Sequence, residues 1–199
     1  MKKPSILVLA FTLIFTLACK TDKKDADTNT ETQVENSETK KITDPSDNNG
    51  KEVWVELNSK SGSNVTGNVI FKQEGNLVTM TAAISGLEEG MHAIHLHAKS
   101  DCSSDDGKST GGHWNPTSQP HGKWGDPKGY HKGDIGNFTA NSDGRGTITF
   151  TTDEWCIGCG DETKDILGKA IIVHQGTDDF TSQPSGAAGT RVSCGGVIE

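Results

Sequence analysis

The chain predicts an all-β fold, an antiparallel sandwich or barrel, and three observations carry that expectation. Short segments alternate apolar and polar residues, turn clusters rich in Gly, Asn, Ser and Asp separate them, and no stretch shows a convincing 3.6-residue period. The predicted strands are VWVEL (53–57), VTGNVIF (65–71), VTMTAAI (78–84), HAIHLH (92–97), TITFTT (147–152) and, last, AIIVH (170–174). NSKSGSN, KQEGN, SGLEEG and NSDGRG supply the turns, which the 24 glycines of the chain make easy to form. Residues 98–133 and 175–190 show no strand pattern. Loops that long in a compact domain are usually functional.

The N-terminus reads differently. Two lysines precede an apolar run from Ile6 to Ala18 that is too short to span a bilayer comfortably, and the run ends at Cys19. Residues 1–18 are therefore expected to be a lipoprotein-type signal peptide, with Cys19 as the lipid-bearing residue. Residues 20–50 hold only Ala26, Val34 and Ile42 as apolar residues besides Pro45. Such a stretch cannot bury enough surface to offset its ordering entropy, so residues 19–50 read as a lipidated cysteine and a disordered polar tether. The expected destination is the cell envelope, with a membrane contact through the anchor. The folded domain is residues 51–199.

The chain carries a net charge of −8. Setting aside Lys2 and Lys3, and the five lysines and eight acids of residues 20–50, leaves −7 on the domain. That balance argues against nucleic acid as a partner. Besides Cys19 the chain has Cys102, Cys156, Cys159 and Cys194, and in an exported protein these invite disulfides. Four cysteines allow three pairings; Cys102 with Cys194 and Cys156 with Cys159 is the favoured set.

All seven histidines lie between positions 92 and 174. In GMHAIHLHA (90–98), strand alternation puts His95 and His97 on one face and His92 with Ile94 and Leu96 on the other. A same-face pair can grip a metal, whereas an imidazole among aliphatic neighbours is a core residue. The long loop adds His113, His121, His131 and Asp134, and the AIIVH strand ends in His174. Six imidazoles and a carboxylate can make two metal sites. Imidazoles with one carboxylate in a tetrahedral set suit zinc; an all-imidazole set suits copper.

The order of motifs resembles the copper/zinc superoxide dismutase family: His-x-His (95, 97), Cys102, GGHWNP, His121, HKGD (131–134), VHQGTDD (173–179) and GTRVSCG (189–195). The resemblance covers nearly all of residues 51–199. It implies an eight-stranded Greek-key β-barrel, a flattened sandwich with long metal-binding and electrostatic loops. It implies copper held by His95, His97, His113 and His174, and zinc held by His113, His121, His131 and Asp134. Asp178 would link a copper ligand to a zinc ligand, Arg191 would hold the anion beside copper, and Cys102–Cys194 would be the family disulfide. The implied reaction is dismutation of superoxide to dioxygen and hydrogen peroxide by alternate reduction and reoxidation of copper, with His113 moving a proton. A homodimer is compatible with the resemblance, which leaves the association surface open.

Two features fall outside it. Cys156 and Cys159 in WCIGC could be a redox pair, half of a zinc site or a local disulfide. No second Cys-x-x-Cys exists, and the structural disulfide is the favoured reading. The segment DDFTSQPSGAAGTR (178–191) has no lysine, where animal members of the family carry one for steering. Attraction of superoxide would then rest on Arg191, the metals, and lysines such as Lys123, Lys128 and Lys132, and catalysis slower than the diffusion ceiling is expected. The alternative function is a metal store or chaperone without turnover. Non-enzymatic relatives would be expected to lose a copper histidine or the arginine, and this chain keeps them all.

Overall fold

A computed structural model describes residues 50–199. The expected signal peptide, Cys19 and the expected tether lie outside the described residues. Eight strands, β1 (Lys51–Ser59), β2 (Thr66–Glu74), β3 (Leu77–Ser85), β4 (Gly90–His97), β5 (Gly136–Ala140), β6 (Gly146–Thr152), β7 (Ala170–His174) and β8 (Arg191–Gly196), close into an antiparallel barrel. Their order around it is β1-β2-β3-β6-β5-β4-β7-β8, a Greek key, and β8 returns to pair with β1. Apart from a 3₁₀ turn at Lys108–Thr110, the described residues contain no helix.

Alternation does the folding work. Val53, Val55 and Leu57 on β1, Val69 and Phe71 on β2, and Val78, Met80, Ala82 and Ile84 on β3 all point into the core, while their neighbours face out. Each such side chain stabilises the barrel by roughly 1.5–3 kcal/mol through removal of apolar surface from water. From His92 onward β4 is buried on both faces, and β7 is buried throughout. One side of these two strands belongs to the core; the other lies beneath the long loops.

Two strands escaped the sequence pattern, for different reasons. β5 (GNFTA) has Phe138 as its one large apolar residue. β8 (RVSCGG) ends in glycines because it runs against backbone: a Cβ at Gly195 would press on the Glu56 carbonyl and one at Gly196 on the Ser100 carbonyl, both at 2.5–2.6 Å. The Cys102–Cys194 disulfide ties β8 to the loop after β4 across 92 residues. Closing a loop of that length contributes roughly 4–5 kcal/mol in chain-entropy models.

Candidate metal centre

The site grows out of the backbone of Leu96, which sits between His95 and His97 on β4. The Leu96 N–H donates to the Gly133 carbonyl at 2.9 Å, and its own carbonyl accepts from the Trp114 N–H at 2.8 Å. Two points of the 98–135 loop, one midway and one near its end, are thereby clamped to one residue of the strand. Gly133 must be glycine there, since a Cβ would overlap the Leu96 carbonyl. The clamp delivers His113, one residue before Trp114, and Asp134, one residue after Gly133, to the level of the His-x-His pair. Trp114 enters the core beneath the loop, and Trp124 packs against Tyr130, Phe150 and Trp155.

His174 comes from β7, the neighbour of β4, whose register sets His95 opposite Ile172 and His97 opposite Ala170. A register shift between Val173 and His174 on the β8 side places His174 across from Arg191. Bulges of this kind re-aim side chains next to sites.

Two clusters result, and both contain His113. His95, His97, His113 and His174 bring one nitrogen each within 4.8 Å of one another; His113, His121, His131 and Asp134 do the same with their ligand atoms. All seven residues are buried. Each of the six imidazoles turns a buried ring nitrogen into its cluster: Nδ1 of His95 and Nε2 of His97, His113 and His174 have no hydrogen-bond partner, while Nδ1 of His121 and His131 lie 3.0 and 3.2 Å from the Asp134 carboxylate. Buried polar atoms are rarely left without a partner. Six ring nitrogens converging on two points make a donor set that could hold a pair of metal ions.

The opposite nitrogens explain which atom is bare. The His97 Nδ1–H donates to the Gly111 carbonyl at 2.9 Å, and His174 Nδ1 faces the Gly189 carbonyl at 3.4 Å. Carbonyls only accept, so the proton sits on Nδ1 and Nε2 is free. Asp178 does this for two rings at once. Its Oδ2 lies 2.9 Å from His95 Nε2 and its Oδ1 2.9 Å from His121 Nε2, joining one histidine of each cluster and turning both Nδ1 atoms inward, that of His95 bare and that of His121 beside Asp134 at 3.0 Å. His92 differs: both its nitrogens face carbonyls, those of His174 at 3.1 Å and Glu88 at 2.9 Å, so it offers no ligand atom.

Burial keeps His97, His113 and His174 in the neutral form that binds a metal, whereas the carboxylates around His121 favour its charged form. Burial, reinforced by neighbouring histidines, pushes His97 and His174 well below the usual imidazole range. Burial lowers His113 to about 4, although the Asp134 carboxylate works against it. At His121 burial also opposes charge, but hydrogen bonds to Asp134 and Asp178 outweigh it and raise the ring to about 9. Burial disfavours ionised Asp134 and Asp178, yet contacts with His113, His121 and His131 for the first, and with His121 and His95 for the second, hold both far below the carboxylate range. Four imidazoles suit copper, and three imidazoles with a carboxylate suit zinc.

Several supporting residues gave no sequence signal. Asn137 on β5 exchanges two hydrogen bonds with the Asp178 backbone (2.8 and 2.9 Å), and Gln183 does the same with the His121 backbone (2.9 and 2.8 Å). Gly186, at φ +68, leaves room for the Asp178 carboxylate, which a Cβ would overlap. Cys156 and Cys159 form a disulfide, and the nearby Asp165 carboxylate is occupied by the N–H groups of Gly158, Gly160 and Leu167. That cluster is a braced loop. It leads to the indole of Trp155, which donates to the Lys132 carbonyl at 2.9 Å and so supports the His131–Asp134 turn. Lys132 itself is paired with Glu154, which also receives the Tyr130 hydroxyl.

These shifts fix how the protein stripped of metal by a chelator responds to pH. The unfolded chain protonates before the depressed His97, His113 and His174 do, so stability falls as pH drops from about 6.5 towards 4. The raised His121 contributes stability that is complete below about 6.5 and lost as pH rises through about 9. Denaturant unfolding of the stripped protein is expected to show maximal stability near pH 6.5, with a decline on either side. Stability climbing steadily from pH 6.5 to 9 would contradict this.

Comparison with known proteins agrees with the geometry. A family model described as copper/zinc superoxide dismutase (SODC) matches residues 65–198. Two crystal structures of mutants of a SOD-like protein from Bacillus subtilis, one double and one single, superpose with TM-scores of 0.64 and 0.65 at 29% and 28% identity. Each alignment covers 73% of this chain and 97% of the other. With a closed eight-stranded barrel, two histidine clusters that could hold metals and a family match over most of its length, the chain belongs to the copper/zinc superoxide dismutases, oxidoreductases that act on superoxide with copper and zinc.

Proposed function

We propose that His95, His97, His113 and His174 hold copper, that His113, His121, His131 and Asp134 hold zinc, and that superoxide is dismuted at the copper side. The observation that carries this is the set of six buried imidazole nitrogens, four of them with no hydrogen-bond partner and two beside Asp134, converging on two points that share one ring. Bound copper would supply a one-electron couple and bound zinc a fixed positive charge. The chain does the rest. Arg191, beside His174 in the strand register, offers its guanidinium to the anion. His113 carries the proton: Nδ1 stays engaged on the zinc side, and Nε2 can take up a proton and hand it to the departing peroxide. Asp178 locks His95 and His121, so the two sides keep a common orientation during turnover. Two superoxide ions and two protons give one dioxygen and one hydrogen peroxide.

Steering is expected to be weak. Of the three lysines that could replace the missing one, Lys132 is neutralised by Glu154, and Asp106 stands close enough to act on Arg191. In the full-length protein, dismutation is expected to track copper content, with kcat/KM below the diffusion ceiling and only weakly dependent on ionic strength. His95→Ala or His174→Ala should abolish activity, and Arg191→Ala should lower kcat/KM about tenfold or more. Full copper and zinc occupancy without turnover would leave a metal-binding protein in place of the enzyme.

The place of action follows from the N-terminal segment. The lysine pair, the short apolar run and the Ala18-Cys19 junction support export, a lipid on Cys19 and a polar tether that holds the domain off a membrane, where it would intercept superoxide in the envelope. Mass spectrometry of the mature protein is expected to find Cys19 at the N-terminus, bearing acyl chains. A mature chain that starts elsewhere without lipid would overturn this placement.

A further inference from the structure

Arg191 has a side chain with four rotatable bonds, and an anion site needs its guanidinium in one place. The backbone around it is well fixed. Cys194, three residues on, is bonded to Cys102, and the Arg191 carbonyl accepts from the Ser61 hydroxyl at 2.9 Å. The guanidinium is held differently, by the turn that spans 107–111. Nη1 donates to the Gly107 carbonyl at 2.9 Å and lies 3.2 Å from the Thr110 hydroxyl.

Thr110 is fully buried. Its Oγ1 lies 2.8 Å from the Gly107 carbonyl, 3.2 Å from Arg191 Nη1 and 3.3 Å from His97 Nδ1. Chemistry allows one assignment of the single hydroxyl proton. The Gly107 carbonyl can only accept, the guanidinium can only donate, and His97 Nδ1 already carries the hydrogen it shares with the Gly111 carbonyl. The hydroxyl therefore donates to Gly107 and accepts from both Arg191 and His97. One small group ties the arginine to a ring of the first cluster. Its position is set by the turn, where Gly107 adopts φ 68 and the Gly111 N–H closes onto the Lys108 carbonyl at 3.0 Å. Both contacts of the guanidinium use Nη1, which leaves its other N–H groups without a protein partner among the described residues.

We infer that Thr110 is a positioning residue for the anion: its hydroxyl fixes the Arg191 guanidinium relative to His97, and so sets how tightly a small monovalent anion binds beside the metal. This rests on the copper reading of the first cluster. Only a hydroxyl side chain supplies the donor and the acceptors together. Valine fills the same volume with neither, and leaves Nη1 with the Gly107 carbonyl alone. Hydrogen bonds to charged groups are among the stronger ones, so the loss should be visible in anion affinity.

The test compares full-length wild type, Thr110→Val and Thr110→Ser, each loaded with copper and zinc and checked for metal content. Azide binding to copper, read from its charge-transfer absorption, is measured beside dismutation. Thr110→Val is expected to raise the azide Kd and lower kcat/KM about tenfold at unchanged copper content, while Thr110→Ser stays within about twofold of wild type. An azide Kd for Thr110→Val equal to that of wild type overturns the inference. So does a serine variant as weak as valine, which would make the role one of packing. If the valine chain does not fold, Thr110→Ala reads the same two quantities. Copper-loaded wild type that binds azide without turning over superoxide fails the proposed function, while the azide series still decides the role of Thr110. Wild type that takes up no copper overturns both.

Discussion

The structure turns on one ring that must serve two clusters. His113 presents Nε2 to His95, His97 and His174 and Nδ1 to the side of Asp134, so its plane and position are constrained from both directions. The His95 and His113 ring centroids lie only 3.9 Å apart, and those of His121 and His131 are at 5.3 and 5.7 Å from His113. A loop residue cannot be held that closely unless the loop is anchored nearby. The two hydrogen bonds of Leu96 provide the anchor, and the strand that carries them also carries the His-x-His pair. Strand, loop and shared ligand are thus set by the backbone of one residue.

Around that ring the protein accepts an energetic cost. The four nitrogens of His95, His97, His113 and His174 without hydrogen-bond partners each cost about 1–3 kcal/mol in a protein interior. Metal ions that meet those nitrogens remove the cost, and anything that binds the folded state and not the unfolded one adds to stability by mass action. Barrel, disulfides and loop braces hold the donors in place beforehand. Asp178 is central to this preorganisation because it fixes one ring in each cluster, and its own backbone is held in turn by Asn137.

Much of this was legible in the sequence, and the gaps have physical reasons. Alternation found the strands that bury one face, and the parity of positions 92, 95 and 97 separated the core histidine from the same-face pair. β5 and β8 were missed because short strands rich in glycine and polar residues carry little alternation. The resemblance supplied the grouping of distant histidines, which spacing alone left open. It said nothing of Thr110, Asn137, Gln183 or Gly186, each an ordinary loop or strand residue until tertiary contacts are known. WCIGC was ambiguous for a related reason: its role appears only through Asp165, which organises the loop, and through the reach of Trp155 to Lys132.

The measurement that bears most directly on this account is electron paramagnetic resonance of the full-length protein with Cu²⁺ placed in both sites. A shared His113 ring predicts two copper ions coupled by exchange, with the ordinary Cu²⁺ signal strongly diminished at full occupancy. His113→Ala should abolish that coupling. Two magnetically independent Cu²⁺ signals in the wild-type protein at full occupancy of both sites would contradict the shared ring, and with it the arrangement proposed for the centre.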